Sequence, residues 1–247
     1  MRTVIIAQAR MSSTRLPGKT LMDLGGAPVI DHVIARGRRA RRADDLWVAT
    51  TTDPSDDVLV DHLREVGVAY VRGSLDDVLS RYVHAARAAE ADVIVRITCD
   101  CPLIDPEVID RVIEAFEAAP PVDYCSNTLV RTFPIGMDTE VFTRAALERA
   151  DSGATEPHER EHVTPHMYQH PRDFRLRSVE APAEAAWPGL RLTVDEPVDL
   201  AMLDELVAAV GRDAGLPEIL GYLKTHSELA RKSAHVRHRH VEKPESW

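Results

Sequence analysis

Aromatic residues make up only 5% of this 247-residue chain. Its interior therefore cannot be built around stacked rings and must rest on Val, Leu, Ile and Ala. Cysteine is also scarce, with Cys99, Cys101 and Cys125 the only three. So odd and sparse a set does not make a disulfide framework, and Cys99 and Cys101 lack further ligands at metal-binding spacing, so all three read as small core residues. No apolar run is long enough to span a membrane and no signal-peptide pattern is present, which sets a cytoplasmic protein as the expectation. Positive charge is in deficit, with 30 Lys and Arg against 40 Asp and Glu and a formal net charge of −10. Nucleic acid and membrane surfaces call for a broad basic face, so neither is expected as a partner. A small anion held by a local basic pocket remains compatible with that balance. The rest of the composition, 44% hydrophobic and 28% charged, is that of a globular chain with a substantial core.

Short apolar runs alternate with longer stretches of helical period. "TVIIAQA" (3–9), "LWVATTT" (46–52), "VAYVRG" (68–73), "DVIVRITCD" (92–100) and "VDYCSN" (122–127) read as strands. Between them, residues 28–40, 54–67, 75–91 and 105–119 read as helices, with Ser55 a candidate N-cap and Gly67 a candidate C-cap. Residues 137–150 read as a strand running into a helix. Residues 156–171 read as a helix interrupted near Pro165, residues 174–182 and 190–195 as strands, and residues 197–211 as a strong helix. Residues 233–247 have no periodicity. Such alternation predicts a three-layer α/β/α fold with a mainly parallel sheet. Ligands then sit at the carboxyl ends of the strands.

That rule gives meaning to "QARMSSTRLPGK", Gln8 to Lys19, which leaves the end of the first strand. Arg10, Arg15 and Lys19 lie there among the hydroxyls of Ser12, Ser13 and Thr14, a combination suited to a polyanion such as a triphosphate. The spacing is not that of a Walker A loop, and a solvated basic loop is the other reading. Asp100 ends one apolar strand and Asp195 another. Two carboxylates beside a triphosphate suit Mg²⁺. Alternatively, Asp195 is a helix N-cap and Asp100 a turn residue before Pro102.

"IIAQARMSSTRLPGKTL", "WVATTTDPSDD", "VRGSLDDVLSRY", "CDCPLIDP", "FPIGMDTEVF", "REHVTPHMYQHP" and "RLTVDEPVDL" follow one another in this order. Together they resemble the cytidylyltransferase superfamily, which includes the acylneuraminate and 3-deoxy-manno-octulosonate enzymes, and within it the subgroup of the spore coat polysaccharide biosynthesis protein F type. The resemblance runs from the first strand through the helix at 197–211. It implies a nucleotide-diphospho-sugar-transferase-like fold (GT-A or Rossmann-like), CTP as donor, Mg²⁺ as cofactor and a sugar acid as acceptor; a phosphonate or other small anion is the rival acceptor, raised by the departures at Ser12 and Cys99 and by the Arg- and His-bearing second half. It also implies that Arg10, Ser13, Arg15 and Lys19 hold the triphosphate, and that Ala7, Gln8 and Ala9 line the cytosine–ribose side together with Asp77 and Arg81 from the segment Gly73–Arg81. Asp100 and Asp195 would hold the metal, and Arg10, Arg15, Lys19 and Asp100 would be catalytic. Arg131, Asp138, Glu140, Arg160, Glu161 and His162 would form the acceptor pocket. A single domain is expected over 1–225, with a nucleotide-binding half near 1–127, an acceptor-binding half near 128–195 and a flexible tail at 226–247. Relatives commonly dimerise, which makes a homodimer possible.

Two positions depart from the subgroup, Ser12 and Cys99, where glycine is usual and lets backbone approach a ligand closely. Ser12 either adds a hydroxyl to a phosphate or narrows the loop; Cys99 sits beside the metal carboxylate. His158, His162, His166 and His170 recur every four residues and mimic a metal site, but Pro165 interrupts the stripe and the resemblance implies no metal there. His235, His238 and His240 read as a solvated basic end. Two other classes compete with the nucleotidyltransferase. A glycosyltransferase using nucleotide sugars would normally carry a D-x-D motif, and "CDCP" has one aspartate. A nucleotide-binding regulatory module would have no use for the two carboxylates.

Overall fold

The strands form where apolar side chains fall on both faces of a run, as buried strands of a parallel sheet require. In the computed structural model, which describes residues 1–236, the first of them is β1 (Thr3–Gln8), buried along almost its whole length. The hairpin of β2 (Asp23–Leu24) and β3 (Ala27–Pro28) follows, then β4 (Asp45–Thr51), β5 (Ala69–Gly73), β6 (Val93–Thr98), β7 (Tyr124–Ser126), β8 (Glu140–Thr143) and β9 (Leu176–Ser178). Apart from the hairpin they form one sheet in the order β5-β4-β1-β6-β8-β7-β9. β1 pairs in parallel with both β4 and β6, and only β8 runs against its neighbours. The chain steps outward from β1 through β4 to β5, then returns to place β6 on the other side of β1. The carboxyl ends of β1 and β6 therefore flank a topological switch point, where such sheets open a crevice.

Helices cover both faces, as the alternation predicts. α1 (Val29–Gly37), α2 (Asp57–Glu65) and α4 (Pro106–Glu117) pack on one face against Ile5, Ala7, Val95 and Ile97. α3 (Val78–Ala88), α5 (Arg144–Gly153) and α7 (Pro165–Gln169) pack on the other against Val4, Ile6 and Ile94. A third apolar cluster joins α8 (Pro197–Val210), α9 (Leu216–Thr225) and α10 (Ser227–Arg231) to Leu16, Leu103, Phe133 and Met137. The short α6 (Pro157–His162) precedes α7. No helix among the described residues is long and apolar enough to cross a membrane.

Several sequence expectations need correction. Ser55 is not an N-cap: Asp53 takes that role and accepts from the Ser55 N–H at 2.8 Å, and Pro54–Asp56 is a 3₁₀ turn ahead of α2. Gly67 does follow α2 with φ 63°, the left-handed conformation of a helix exit. The break in 156–171 falls at Val163, whose φ of 73° is unusual for a β-branched residue. Residues 190–195 are not a strand. They alternate as one, with Leu190, Leu192 and Val194 in the third cluster, but find a ladder partner only in a single bridge between Ile135 and Arg191. The flexible tail expected over 226–247 does not hold for the described part of it: α10 places Leu229 in the third cluster, and Val236 is also buried. His235 is exposed, while His238 and His240 lie outside the described residues.

Candidate functional site

The loop from Ala9 to Gly18 is a folded structure, not a solvated excursion. Buried Asp56 anchors it by accepting the Met11 N–H at 2.7 Å, while also binding the hydroxyls of Thr50 and Thr51. The N–H groups of Ser13 and Gly18 both turn back to the Met11 carbonyl, and Gly18 takes φ 75°. Leu16 pins the loop into the third cluster. Lys19 then opens a single 3₁₀ turn, Lys19–Leu21, directed inward.

That turn carries the centre of the site. The Lys19 ammonium donates to Asp100 Oδ2 at 3.0 Å, to Asp195 Oδ1 at 3.1 Å and to the Val194 carbonyl at 2.6 Å. Arg15 reaches the same Asp195 oxygen at 2.7 Å. Burial alone would raise the Asp100 carboxyl, but the Lys19 charge and hydrogen bonds from Thr98 and Lys19 hold it at about 2. Burial likewise works against the charge on Lys19, and the two aspartates more than restore it. Asp195 is not an N-cap. Glu196 holds that position, and Asp199 accepts the N–H groups of both Asp195 and Glu196, which leaves the Asp195 carboxylate free to face the cleft. Behind it, buried Arg191 grips Asp195 Oδ2 at 3.1 Å and Asp199 at 3.3 Å. Two carboxylate oxygens converging on one cationic nitrogen mark a position that suits a divalent cation, whose hard-oxygen preference they match.

Around this centre lies a cleft of about 390 Å³. Six of its lining side chains are Lys or Arg and five are Asp or Glu, so the cleft is nearly balanced in formal charge, with its cations gathered on the side of the Arg10–Lys19 loop. Gln8, Ala9, Arg10, Ser13, Arg15, Lys19, Arg81, Asp100, Arg131, Asp138, Glu140, Glu161, His162 and Asp195, all singled out from the sequence, line it together. The guanidinium of Arg10 makes no ion pair among the described residues. Arg81 is buried, held by the Ser74 carbonyl at 3.0 Å and by no carboxylate among the described residues; burial lowers its pKa, and Gly73 gives its side chain room.

Four expected site residues are not brought to the cleft. Ala7 points into the sheet core on the face of α1, α2 and α4. Ser12 is exposed on the outer side of the loop, so its departure from glycine does not touch the cleft. Asp77 is the N-cap of α3, accepting from the Ser80 N–H at 3.0 Å, and is bound by Arg160 at 2.6 Å. Arg160 also holds Asp151 at 2.8 Å, so it ties α6 to α3 and α5 instead of facing an acceptor. Cys99, the second departure, does line the cleft, with its thiol pushed up by burial and by Asp100.

On the far side Arg131 and Asp138 form a two-bonded pair at 2.7 and 2.8 Å. Glu140 pairs with Arg96 and accepts from Tyr124 at 2.5 Å and Thr164 at 2.6 Å. Arg96 in turn donates to Gln8 Oε1 at 3.0 Å. Sequence reasoning missed Arg96, Thr164, Tyr168 and the supporting Arg191 and Asp56. Arg96 had a signal, a lone cation inside the apolar strand "VIVRIT"; Tyr168 and Thr164 had none, since only the bend at Val163 turns them inward. The histidine stripe is split by that bend. Glu159, His166 and His170 come together, with His166 Nδ1 on Glu159 at 2.7 Å and His170 Nδ1 on the His166 carbonyl at 2.8 Å, while His158 meets Gln169.

Residues 4–214 match the family model described as cytidylyltransferase. The chain is 34% identical to the spore coat polysaccharide biosynthesis protein SpsF of Bacillus subtilis, covering 92% of this chain and 96% of that protein. It is 35% identical to a 3-deoxy-manno-octulosonate cytidylyltransferase of Anaeromyxobacter dehalogenans over 64% of this chain and 70% of that one. Among solved structures, a cytidylyltransferase from Leptospira borgpetersenii superposes with a TM-score of 0.87 at 31% identity, covering 97% of this chain and all of that one.

Proposed function

That this chain belongs to the cytidylyltransferase family is the premise from which we propose that it transfers CMP from CTP to a sugar acid, with Mg²⁺ and with release of pyrophosphate. It is a CTP-dependent nucleotidyltransferase. The observation that carries the reading is the convergence of Lys19, Asp100 and Asp195, with Arg15 alongside, at the carboxyl ends of β1 and β6.

An acceptor oxygen attacks the α-phosphorus of CTP in line, a P–O bond forms, and the bond to the β-phosphate oxygen breaks. Arg10, Arg15 and Lys19 bind the triphosphate and neutralise the charge that grows on the departing pyrophosphate. Asp100 and Asp195 would hold the metal, and Arg191 keeps Asp195 aimed. Mg²⁺ there would supply Lewis-acid stabilisation of the negative charge that develops on the phosphates. The far half of the cleft favours a polyhydroxylated acid over a compact phosphonate. Its cations, Arg96 and Arg131, are each paired with a carboxylate. Asp138, Glu140 and Glu161 add carboxylates to this half, which repel a dianion more strongly than the single charge of a sugar acid. A sugar hydroxyl must lose a proton as it attacks. His162 lines this half, and it is the side chain to which we assign that proton.

The test is pyrophosphate release with each nucleoside triphosphate, Mg²⁺ and a panel of sugar acids, sugar phosphates and phosphonates. Release with CTP and a sugar acid is expected. Release with phosphonates alone overturns the acceptor assignment. Turnover of nucleotide sugars without CTP overturns the reading in favour of a glycosyltransferase.

A further inference from the structure

We infer that Lys19 is a resident counter-cation, occupying the divalent-cation position until the triphosphate draws it away, so that metal and CTP bind as a coupled pair. The inference rests on the nucleotidyl-transfer reading of the cleft and concerns how that site is loaded.

The geometry is specific. An ammonium has three donors, and the Lys19 group directs its bonds to three oxygens: Asp100 Oδ2, Asp195 Oδ1 and the Val194 carbonyl. Lys19 and Asp195 are 13% and 8% exposed at the side chain, so solvent and salt screen the pairing weakly. Mg²⁺ binds carboxylate oxygens at about 2.0–2.1 Å. It would draw on the same two carboxylates that Lys19 now holds, and two cations cannot share that position without strong repulsion. A metal arriving alone must therefore displace a buried ammonium into a space with no replacement anion.

CTP supplies that anion. Lys19 lies on the same loop as Arg10 and Arg15, which are placed to receive phosphates, and its flexible four-carbon stem lets the ammonium swing to them. Arg15 would exchange Asp195 for phosphate in the same way. The carboxylates do not follow. Arg191 holds Asp195 Oδ2 from behind, and the Val194 N–H donates to the Asp100 carbonyl at 2.8 Å, fixing the two carboxylate-bearing segments together. Withdrawal of Lys19 thus leaves a preformed pair of carboxylates facing the phosphates. Each ligand removes what opposes the other, and linkage makes the effect reciprocal.

The experiment is titration of Mn²⁺, as a spectroscopic stand-in for Mg²⁺, into nucleotide-free protein. Lys19→Met is expected to bind Mn²⁺ at least about tenfold more tightly than the wild type, within the usual range of coupling between sites. Its Tm is expected to rise with Mn²⁺ where that of the wild type does not. Adding Asp195→Asn to Lys19→Met should abolish the gain. Lys19→Gln, which keeps a donor but no charge, replaces the Met variant if that one fails to fold. Equal Mn²⁺ affinity in the wild type and the Lys19 variants overturns the inference. A parallel titration of CTP into the wild type in EDTA separates the two levels. Binding there with no Mn²⁺ gain in the variants sinks the counter-cation alone, whereas no CTP binding with or without metal sinks the reading beneath it.

Discussion

Asp100 shows how much one neighbour can do. Burial pushes its carboxyl up, yet Lys19 holds it at about 2, below the ordinary 3.8. A carboxyl with a depressed folded pKa binds fewer protons than its unfolded counterpart, so the stability it contributes is present above about pH 4 and is lost as pH falls toward 2. We expect urea unfolding of the wild type to lose on the order of 2 kcal/mol over that window relative to its value at pH 6. Asp100→Asn should not show that component, and parallel wild-type and variant curves would refute the assignment. Cys99 and Cys101 sit on either side of this carboxylate with thiols pushed up by burial, which makes them unreactive lining groups. Asp195 illustrates the opposite case. From the sequence it competes with a capping role, and only the observed Asp199 hydrogen bonds free it for the cleft.

Among the elements, residues 190–195 matter most to the site, because Arg191, Thr193 and Asp195 project from them while the alternate residues anchor the third cluster. Their position is set by a close backbone approach. Gly136 has φ 105°, and a Cβ there would sit 2.4 Å from the Leu192 carbonyl oxygen. Gly136→Ala is expected to cost about 1–3 kcal/mol and to raise KM for CTP and for acceptor together, because Asp195 and Arg131 would both shift. Unchanged Tm and unchanged KM values would show that the approach is dispensable. The bend at Val163 has a comparable effect on α6 and α7, turning Thr164 and Tyr168 toward Glu140.

Over the whole molecule, the third cluster buttresses the loop from beneath, linking Leu16 to α8, α9 and α10. Leu229, 3% exposed, is its outermost anchor on α10. Leu229→Ala is expected to destabilise the protein by about 2–5 kcal/mol, read as a lower Tm, while KM for CTP at a permissive temperature stays the same. A large rise in KM would mean that the C-terminal helices shape the site directly. The loop side of the cleft gathers Arg10, Arg15 and Lys19 although the chain carries a net charge of −10. Positive charge is therefore placed locally, where it meets a small polyanion without creating a broad basic surface.

The sequence by itself determined the alternation of strands and helices, the carboxyl-end placement of Lys19 and Asp100, and the local basic loop. All of these follow from hydrophobic period and from the short-range order of the chain. Only the tertiary structure decided which charges meet. It brought Lys19 to Asp100 and Asp195, 81 and 176 residues away. It withdrew Asp77 and Arg160 into a clamp between helices, left Ser12 outside the cleft and recruited Arg96 and Arg191. Such pairings depend on burial and on which partner lies within hydrogen-bond reach, and neither is written in the spacing of residues along the chain.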